Sequence, residues 1–536
     1  MKKSSLSRFL ARFSHFKGLI FIFLGLILLS VVGYFVWQRV FYREELASLL
    51  PAEQTLAYAE LNLDSASPQI QQFQTIFSSH PFLSSAGILQ SVNNFVPDYN
   101  QIKPWFGGKF GAALITTADH QNPVLVFLIK FSDRNLADLY VQNSAQSQNF
   151  QFLGASNYLL FSDHPEVFAQ FTQLNSNNSL SHTPRFNQIY SALPQQNLAF
   201  LYFDSEKIFT ALAENPNFLD QKLSILQKYL PFLSLFSADG ISIYAQNNNQ
   251  TTPTLIAEQF SLFNSTKLPK ADYFHTDYRL AGQLVDLLPE QSPVKLTSSH
   301  LQDQKNKLQQ LFAGKSSVQE LIFSGSLEQL KQNFLGNDFD LDKDFFPLFE
   351  NEFAFSIDSI KQPSFSLILT IDKAQDEQTI QRLLLAIAKQ VDLQSSVSKQ
   401  TYILPDNTKG EQIIAHPVEP QLEQLQIEGH DTQKINFNGQ LDLYFLVIGN
   451  HLLASTSQSN LTQIITKEIT PSQSTPAPKQ FFQQVDGITE FYSFNLAQIL
   501  QDLQIPQYNV FTKPFSNFSI GRKFTELGLL SIYRLM

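Results

Sequence analysis

Six short segments of this chain recur, in the same order, further along it. Leu49-Leu50-Pro51 returns as Leu287-Leu288-Pro289, and Pro104–Phe110 (PWFGGKF) as Pro347–Phe353 (PLFENEF). NPVLVFLIKFSD from Asn122 aligns with QPSFSLILTID from Gln362, and NYLLFS from Asn157 with NHLLAS from Asn450. FLYFD from Phe200 matches FYSFN from Phe491, and Pro231-Phe232 matches Pro514-Phe515, each pair leading into a strand-like run. One such match is weak; six in one order are not chance. Self-similarity of this kind dictates that one supersecondary design is built twice. The offset is near 240 for the first three matches and about 290 later, so the second copy carries an insertion of roughly 50 residues. The expected domains are a lobe over 46–265 and its repeat over 266–536, with the insertion near 391–445.

Within each copy, VLVFLIKF and SFSLILTI are short apolar runs bounded by polar residues or Pro, the pattern of buried strands. Each is followed by apolar residues at helical spacing, over Arg134–Ala145 and Asp376–Val391. The expected fold class is α+β, with two duplicated lobes of largely antiparallel sheet and helices packed on one face. The 50 Phe residues are read as filler of those cores.

Ahead of the lobes, Gly18–Trp37 runs twenty residues without a charge, fourteen of them Leu, Ile, Phe or Val. As a helix it would measure about 30 Å, the thickness of a bilayer's hydrocarbon core. Lys2, Lys3, Arg8, Arg12 and Lys17 precede it with no acid among them. No small-residue cleavage pattern follows, so an uncleaved signal anchor is expected: a basic cytoplasmic tail over 1–17 and a single transmembrane helix over 18–37. The positive-inside rule places the rest outside the cytoplasm, in contact with the bilayer only through that helix.

The remainder then holds 32 cations against 47 acids, a surface that repels nucleic acid and anionic headgroups. The chain contains no cysteine, which excludes disulfides, thiol catalysis and Cys-based zinc sites. Charged residues are only 16% of the whole, so solubility rests on uncharged polar side chains.

Three stretches carry a family likeness: LLPAEQTLAYAELNLD from Leu49, DLDKDFFPLFENEFAFSID from Asp340, and ILPDNTKGEQIIAHP from Ile403. With these motifs the chain resembles a family of bacterial membrane-anchored exported proteins known as a domain of unknown function. The resemblance covers most of 46–536 and implies an anchor followed by a strand-rich exported region. It departs at Asn407, where Gly is expected in the LPD turn; Asn tolerates the left-handed region. The resemblance implies no activity and carries over no catalytic residue.

Local motifs for chemistry fail one by one. Asp338-Phe339-Asp340-Leu341-Asp342-Lys343-Asp344 alternates acids like a calcium loop, but Lys343 and Phe349 stand where Gly and an acid are required, so a solvated turn is expected. Gly107-Gly108-Lys109-Phe110-Gly111 lacks the P-loop pattern and reads as a hairpin or bulge. Ser292-Pro293-Val294-Lys295 and Ser396-Val397-Ser398-Lys399 are formal S-x-x-K matches without the companion motifs of penicillin-recognising enzymes. His80, His120, His164, His182, His275, His300, His416, His430 and His451 are scattered, with no metal-binding spacing. Trp105, matched by Leu348 in the second copy, reads as core.

No catalytic, cofactor-binding or metal-binding residue is therefore expected, and no cofactor. The sequence points to a single-pass membrane-anchored envelope protein with a non-catalytic scaffold or partner-binding ectodomain and possible envelope protein partners. The alternatives are an extracytoplasmic protein holding a lipid or other apolar ligand, and an enzyme with a non-local site. The sequence leaves the oligomeric state open.

Overall fold

Central strands in the first half of this chain are apolar at both odd and even positions, and that decides how they are covered. In the strand His120–Phe131, Val124, Val126 and Leu128 enter one buried cluster while Phe127 and Ile129 enter another. Successive side chains of a strand point to opposite faces, so a strand of this kind needs cover on both sides.

The computed structural model describes residues 46–77 (less 65), 99–117, 120–144, 151–172 (less 156), 174, 176–214, 234–247, 254–266, 279–311, 331, 339–362, 364–371, 374–395, 397–404, 408–415, 421–437, 441–470, 481–503 (less 483) and 517–535. The chain divides after Lys270 into two compact units, and Leu527–Arg534 belongs to the first.

The first unit holds β1 (Thr55–Asn62), β2 (Phe106–Thr117), β3 (His120–Phe131), β4 (Gln151–Ala155), β5 (Tyr158–Ser162), β6 (Ala199–Phe203), β7 (Phe236–Gln246) and β8 (Thr254–Phe263). To these is added β20 (Gly528–Leu535). Their antiparallel order is β4-β5-β3-β2-β1-β6-β7-β8-β20. On one face Tyr58, Phe200 and Tyr202 pack with Phe186, Ile189 and Tyr190 of the helix Pro184–Ala192. That helix starts where Thr183 accepts a hydrogen bond from the Phe186 N–H and Pro184 takes the first turn. On the other face Trp105, Phe110 and Phe127 pack with Ala137 and Tyr140 of the helix Arg134–Ser144.

The second unit holds β9 (Val294–Ser298), β10 (Phe353–Ser359), β11 (Ser364–Thr370), β14 (Leu422–Ile427), β15 (His430–Phe437), β16 (Leu441–Ile448), β17 (His451–Ser455), β18 (Glu490–Asn495) and β19 (Asn517–Phe524). Their order is β14-β15-β16-β17-β11-β10-β9-β18-β19, again antiparallel. The helix Ala374–Ser395 covers one face with Ile380 and Leu383. The helix Gln458–Ile469, with Leu461, Ile464 and Ile465 buried, lies on the other, where its Asn460 meets Asp358. A separate ribbon, β12 (Val397–Ile403) with β13 (Lys409–Ala415), stands outside that sheet.

These observations correct the expected fold class. The α+β arrangement with helices on one face gives way to antiparallel sheet as the main structure. Strand residues outnumber helical ones among the described residues, and helices lie on both faces of each sheet. The physical reason is the two-sided apolar pattern of the strands, which a one-sided cover would leave exposed. Among the described residues no helix is long and apolar enough to cross a membrane. The basic tail at 1–17 and the expected transmembrane helix at 18–37 lie outside the described residues.

The two strand orders coincide over seven places: β4-β5-β3-β2-β1-β6-β7 in one unit, β16-β17-β11-β10-β9-β18-β19 in the other. Phe110 and Phe353, the ends of the shared P-x-F-x-x-x-F motif, fall on β2 and β10 and fix the register between them.

Candidate functional site

A row of directly opposed residues crosses the middle of the first sheet: Val126, Ala113, Tyr58, Tyr202 and Gly240, on β3, β2, β1, β6 and β7. Opposed residues share a face, so the row is a single stripe of side chains. It is apolar and aromatic. Phe186 lies 6.4 Å from Tyr58 and 5.2 Å from Tyr202, ring to ring. Gly240 leaves room for the helix above it, since a Cβ there would fall 2.1 Å from Ile189 Cγ2.

The same row of the second sheet reads Ser366, Ser356, Lys295, Ser493 and Ser519, on β11, β10, β9, β18 and β19, with Ser455 of β17 continuing it. Every apolar or glycyl position is a serine and the central tyrosine is a lysine. Ser356, Ser366 and Ser455 are fully buried, Ser519 is buried, and Lys295 and Ser493 are half-buried. Burying hydroxyls costs free energy unless they are hydrogen-bonded, and a carboxylate answers here.

Asp358 lies two residues beyond Ser356 and therefore on the same face. Its Oδ1 lies 2.7 Å from Ser292 Oγ and also accepts from Ser356. Its Oδ2 accepts from Ser366 Oγ at 2.5 Å and from Asn460 Nδ2 at 3.0 Å. Ser366 and Ser455 are 2.9 Å apart between their Oγ atoms, and Ser519 donates to Ser493 at 3.4 Å. Burial and the nearby Lys467 push the Lys295 ammonium down to about 8, against the opposing pull of Glu290, Asp286 and Asp358. Lys467 itself donates to the carbonyls of Leu288 at 2.8 Å and Asp286 at 3.2 Å. Burial lowers its pKa as well.

A second buried carboxylate, Asp239, lies in the first unit. Ser205 Oγ donates to its Oδ2 at 2.6 Å, Ser261 donates to its Oδ1, and Gln259 Nε2 lies 3.4 Å from the same oxygen. Burial raises its pKa, opposed by those donors. Tyr533 of β20 donates to Gln259 Oε1 at 2.9 Å, so the C-terminal strand closes this network.

The sequence motifs fall elsewhere or take structural roles. Asp340, Asp342 and Asp344 turn to different partners: the Asp342 and Lys343 N–H groups, Lys305, and Arg382 at 2.7 Å. Among the described residues no group of three potential ligands converges on a metal position. Gly107, Gly108 and Gly111 lie in β2, whose register shifts between Phe106 and Phe110. Trp105 is buried against Tyr140 at 5.3 Å.

His164 pairs with Glu166 and His451 with Glu468, each at 3.0 Å, and His182 lies 3.0 Å from Ser179 Oγ. The His300 N–H donates to the Glu350 carbonyl at 3.1 Å, and His430 opens β15 opposite Ile427. His80, His275, His416, Ser396, Asp338 and Asn407 lie outside the described residues, as does the side chain of His120. Of the two S-x-x-K matches, Ser292 and Lys295 do join one cluster, on a strand and its lead-in rather than on a helix. Ser356, Asp358, Ser366, Asn460 and Ser493 escaped sequence reasoning. The signal was present in the aligned copies, where Val126 is matched by Ser366 and Tyr202 by Ser493.

No curated protein and no solved structure matches the chain. The family model described as "Protein of unknown function (DUF3352)" matches residues 139–513, more than half of the chain. That match supports the likeness to a domain-of-unknown-function family, and the chain belongs to the DUF3352 family.

Proposed function

We propose that this chain is a single-pass membrane-anchored envelope protein whose extracytoplasmic part is a scaffold that holds a protein partner. The observation that carries the reading is the β12–β13 ribbon. Tyr402, Ile403 and Leu404 are consecutive, large and apolar, and Ile403 is 68% exposed. A two-stranded ribbon is marginal alone in water, and exposed apolar residues on both of its faces mark an end of the ribbon that gains by being covered. The Leu404 N–H closes the turn onto the Thr408 carbonyl at 2.9 Å. Tyr402 lies over its cross-strand partner Gly410, which holds the ring in place. The occupant that fits is an extended apolar segment of another envelope protein, pairing along the ribbon edge and covering these side chains.

The membrane placement rests on the uncharged run 18–37 and the five cations ahead of it. Protease added outside the cytoplasmic membrane is expected to degrade the region after residue 40; a protected chain beside a digested extracytoplasmic control sinks this topology. For the partner, a photo-crosslinking residue at position 403 of the full-length protein in its own envelope is expected to give one discrete adduct, absent when the residue is at position 343. Equal adducts from both positions, or none, overturn the reading.

A further inference from the structure

The second sheet runs two strands further than the design it repeats. The order shared with the first unit ends at β16, and β15 and β14 continue beyond it. A two-residue turn joins them: Glu428 and Gly429 have φ of 50° and 79°, and Ile427 opposes His430 across it. Positive φ at both central residues marks the tight hairpin turn whose flanking pair is hydrogen-bonded. Bonded and non-bonded pairs alternate along an antiparallel ladder. Ile427, Leu425 and Glu423 therefore turn their N–H and C=O groups towards β15, while Leu422, Gln424 and Gln426 turn theirs outward.

Among the described residues no strand pairs with that outer side. Leu422, Glu423, Gln424 and Gln426 are exposed. Chains usually protect an outermost strand with Lys, Pro, a bulge or short length. β14 has six residues in unbroken register, without Lys or Pro. Its one charge, Glu423, is matched within the hairpin by Lys434, directly opposite and 3.5 Å away. The outermost strand of the first unit, β4, has five residues and a glycine among them.

We propose that β14 is a self-association site, where two copies of this chain pair β14 to β14, antiparallel about a two-fold axis through Gln424. In that register Gln424 meets the partner's Gln424, Leu422 meets the partner's Gln426, and Glu423 meets the partner's Leu425. The three outward residues then make about six hydrogen bonds, and no like charges stand opposite one another. An axis through Glu423 would set two carboxylates face to face, and one through Leu425 would place Leu422 against the turn. One patch serves both copies, as a two-fold contact requires. Six bonds are few for a dimer in dilute solution. Copies anchored in one membrane meet at a raised effective concentration, and in that respect the pairing rests on the anchor proposed above. It uses no residue of the β12–β13 ribbon, so a paired molecule presents the partner surface twice.

The chain has no cysteine, so one introduced thiol reports contact between copies without background. The test uses full-length protein in its own membrane under a mild oxidant. Gln424→Cys is expected to give a disulfide-linked dimer about fivefold faster or more than Lys343→Cys, a position equally open to solvent. Leu422→Cys and Gln426→Cys should each crosslink slowly alone and about fivefold faster when coexpressed, because the axis sets 422 against 426. Gln424→Pro removes an outward N–H, so it should keep the wild-type melting temperature. Added to the coexpressed pair, it should lower their crosslinking to that of Lys343→Cys. Equal rates at 424 and 343 overturn the proposal, and so does a coexpressed pair no faster than its members. The same comparison on concentrated purified chain decides the matter even if the protease experiment sinks the anchor, and photo-crosslinking at position 403 reports on the partner separately.

Discussion

Lys295 faces Ser493 across the β9–β18 pair at the position where Tyr58 faces Tyr202 across β1–β6. One register position thus serves as core in one sheet and as a polar site in the other. The difference has a measurable cost.

The cost sets a pH dependence. Burial holds the folded-state pKa of Lys295 at about 8, below its ordinary 10.5. Between those values the unfolded chain binds the proton and the folded chain does not, so stability rises with pH across that window. Below it the folded chain carries the buried charge in full. Lys295→Met is therefore expected to be more stable than wild type by roughly 1–3 kcal/mol at pH 7. The gap should shrink above pH 8 and close towards 10.5. Urea melts at pH 7 and pH 10 check this, and equal stabilities at pH 7 contradict it.

Gly240 and Ser519 occupy the same register place. An alanine Cβ at 240 meets Ile189 Cγ2 at 2.1 Å and Leu193 Cδ1 at 3.1 Å. Gly240→Ala is expected to cost about 1–3 kcal/mol, and Ile189→Ala in the same chain should recover part of the loss specific to the clash. Ser519→Ala adds no atom to the site and should stay within about 1 kcal/mol of wild type. Thermal melts of these three variants and of Ile189→Ala alone give the comparison.

Asp239→Ala removes the acceptor of Ser205 and Ser261, and is expected to destabilise the chain by about 1–3 kcal/mol. Asp239→Asn keeps an acceptor and should lose less. Burial raises the folded pKa of Asp239 above 3.8, so its protonated form contributes stability that is lost as pH rises through the folded value. The Asn variant lacks that loss. Stability curves measured upward from pH 3 are expected to fall for wild type relative to Asp239→Asn.

At the ribbon, Ile403→Asp is expected to leave the melting curve within about 0.5 kcal/mol, because the side chain is mostly exposed. It should abolish the crosslink formed from position 402. Gly410→Ala acts through Tyr402, whose Cζ lies 2.6 Å and Cε1 3.0 Å from the added methyl carbon, and should weaken the same crosslink by displacing the ring.

The strands were largely readable from the chain itself. VLVFLIKF and SFSLILTI became β3 and β11, NYLLFS and NHLLAS hold β5 and β17, and FLYFD and FYSFN hold β6 and β18. A short apolar run bounded by Pro or Asn has few other fates. The placement of helices on both faces was not readable, because a run apolar at every position hides which face each residue serves. The seryl row was hidden for the opposite reason. Ser356, Ser366 and Ser493 alternate with apolar neighbours as a solvated face does, and only the opposed registers reveal that they line one row in which Ser356 and Ser366 are fully buried. Asp358 and Asn460 lie 102 residues apart, and no local pattern joins them.

The strand β20 pairs with β8, and the Phe263 N–H donates to the Leu527 carbonyl at 2.9 Å. The first unit to leave the ribosome is thus the last to be finished. Its β8 edge waits for a strand synthesised some 260 residues later, roughly 13–50 s at ordinary elongation rates of about 5–20 residues per second. Through that interval the nascent chain carries an unpaired edge, the kind that invites pairing with other chains. A chain truncated before Leu527 never closes it. Loss of the last ten residues should therefore unsettle the first unit, the one most distant from the lesion along the chain.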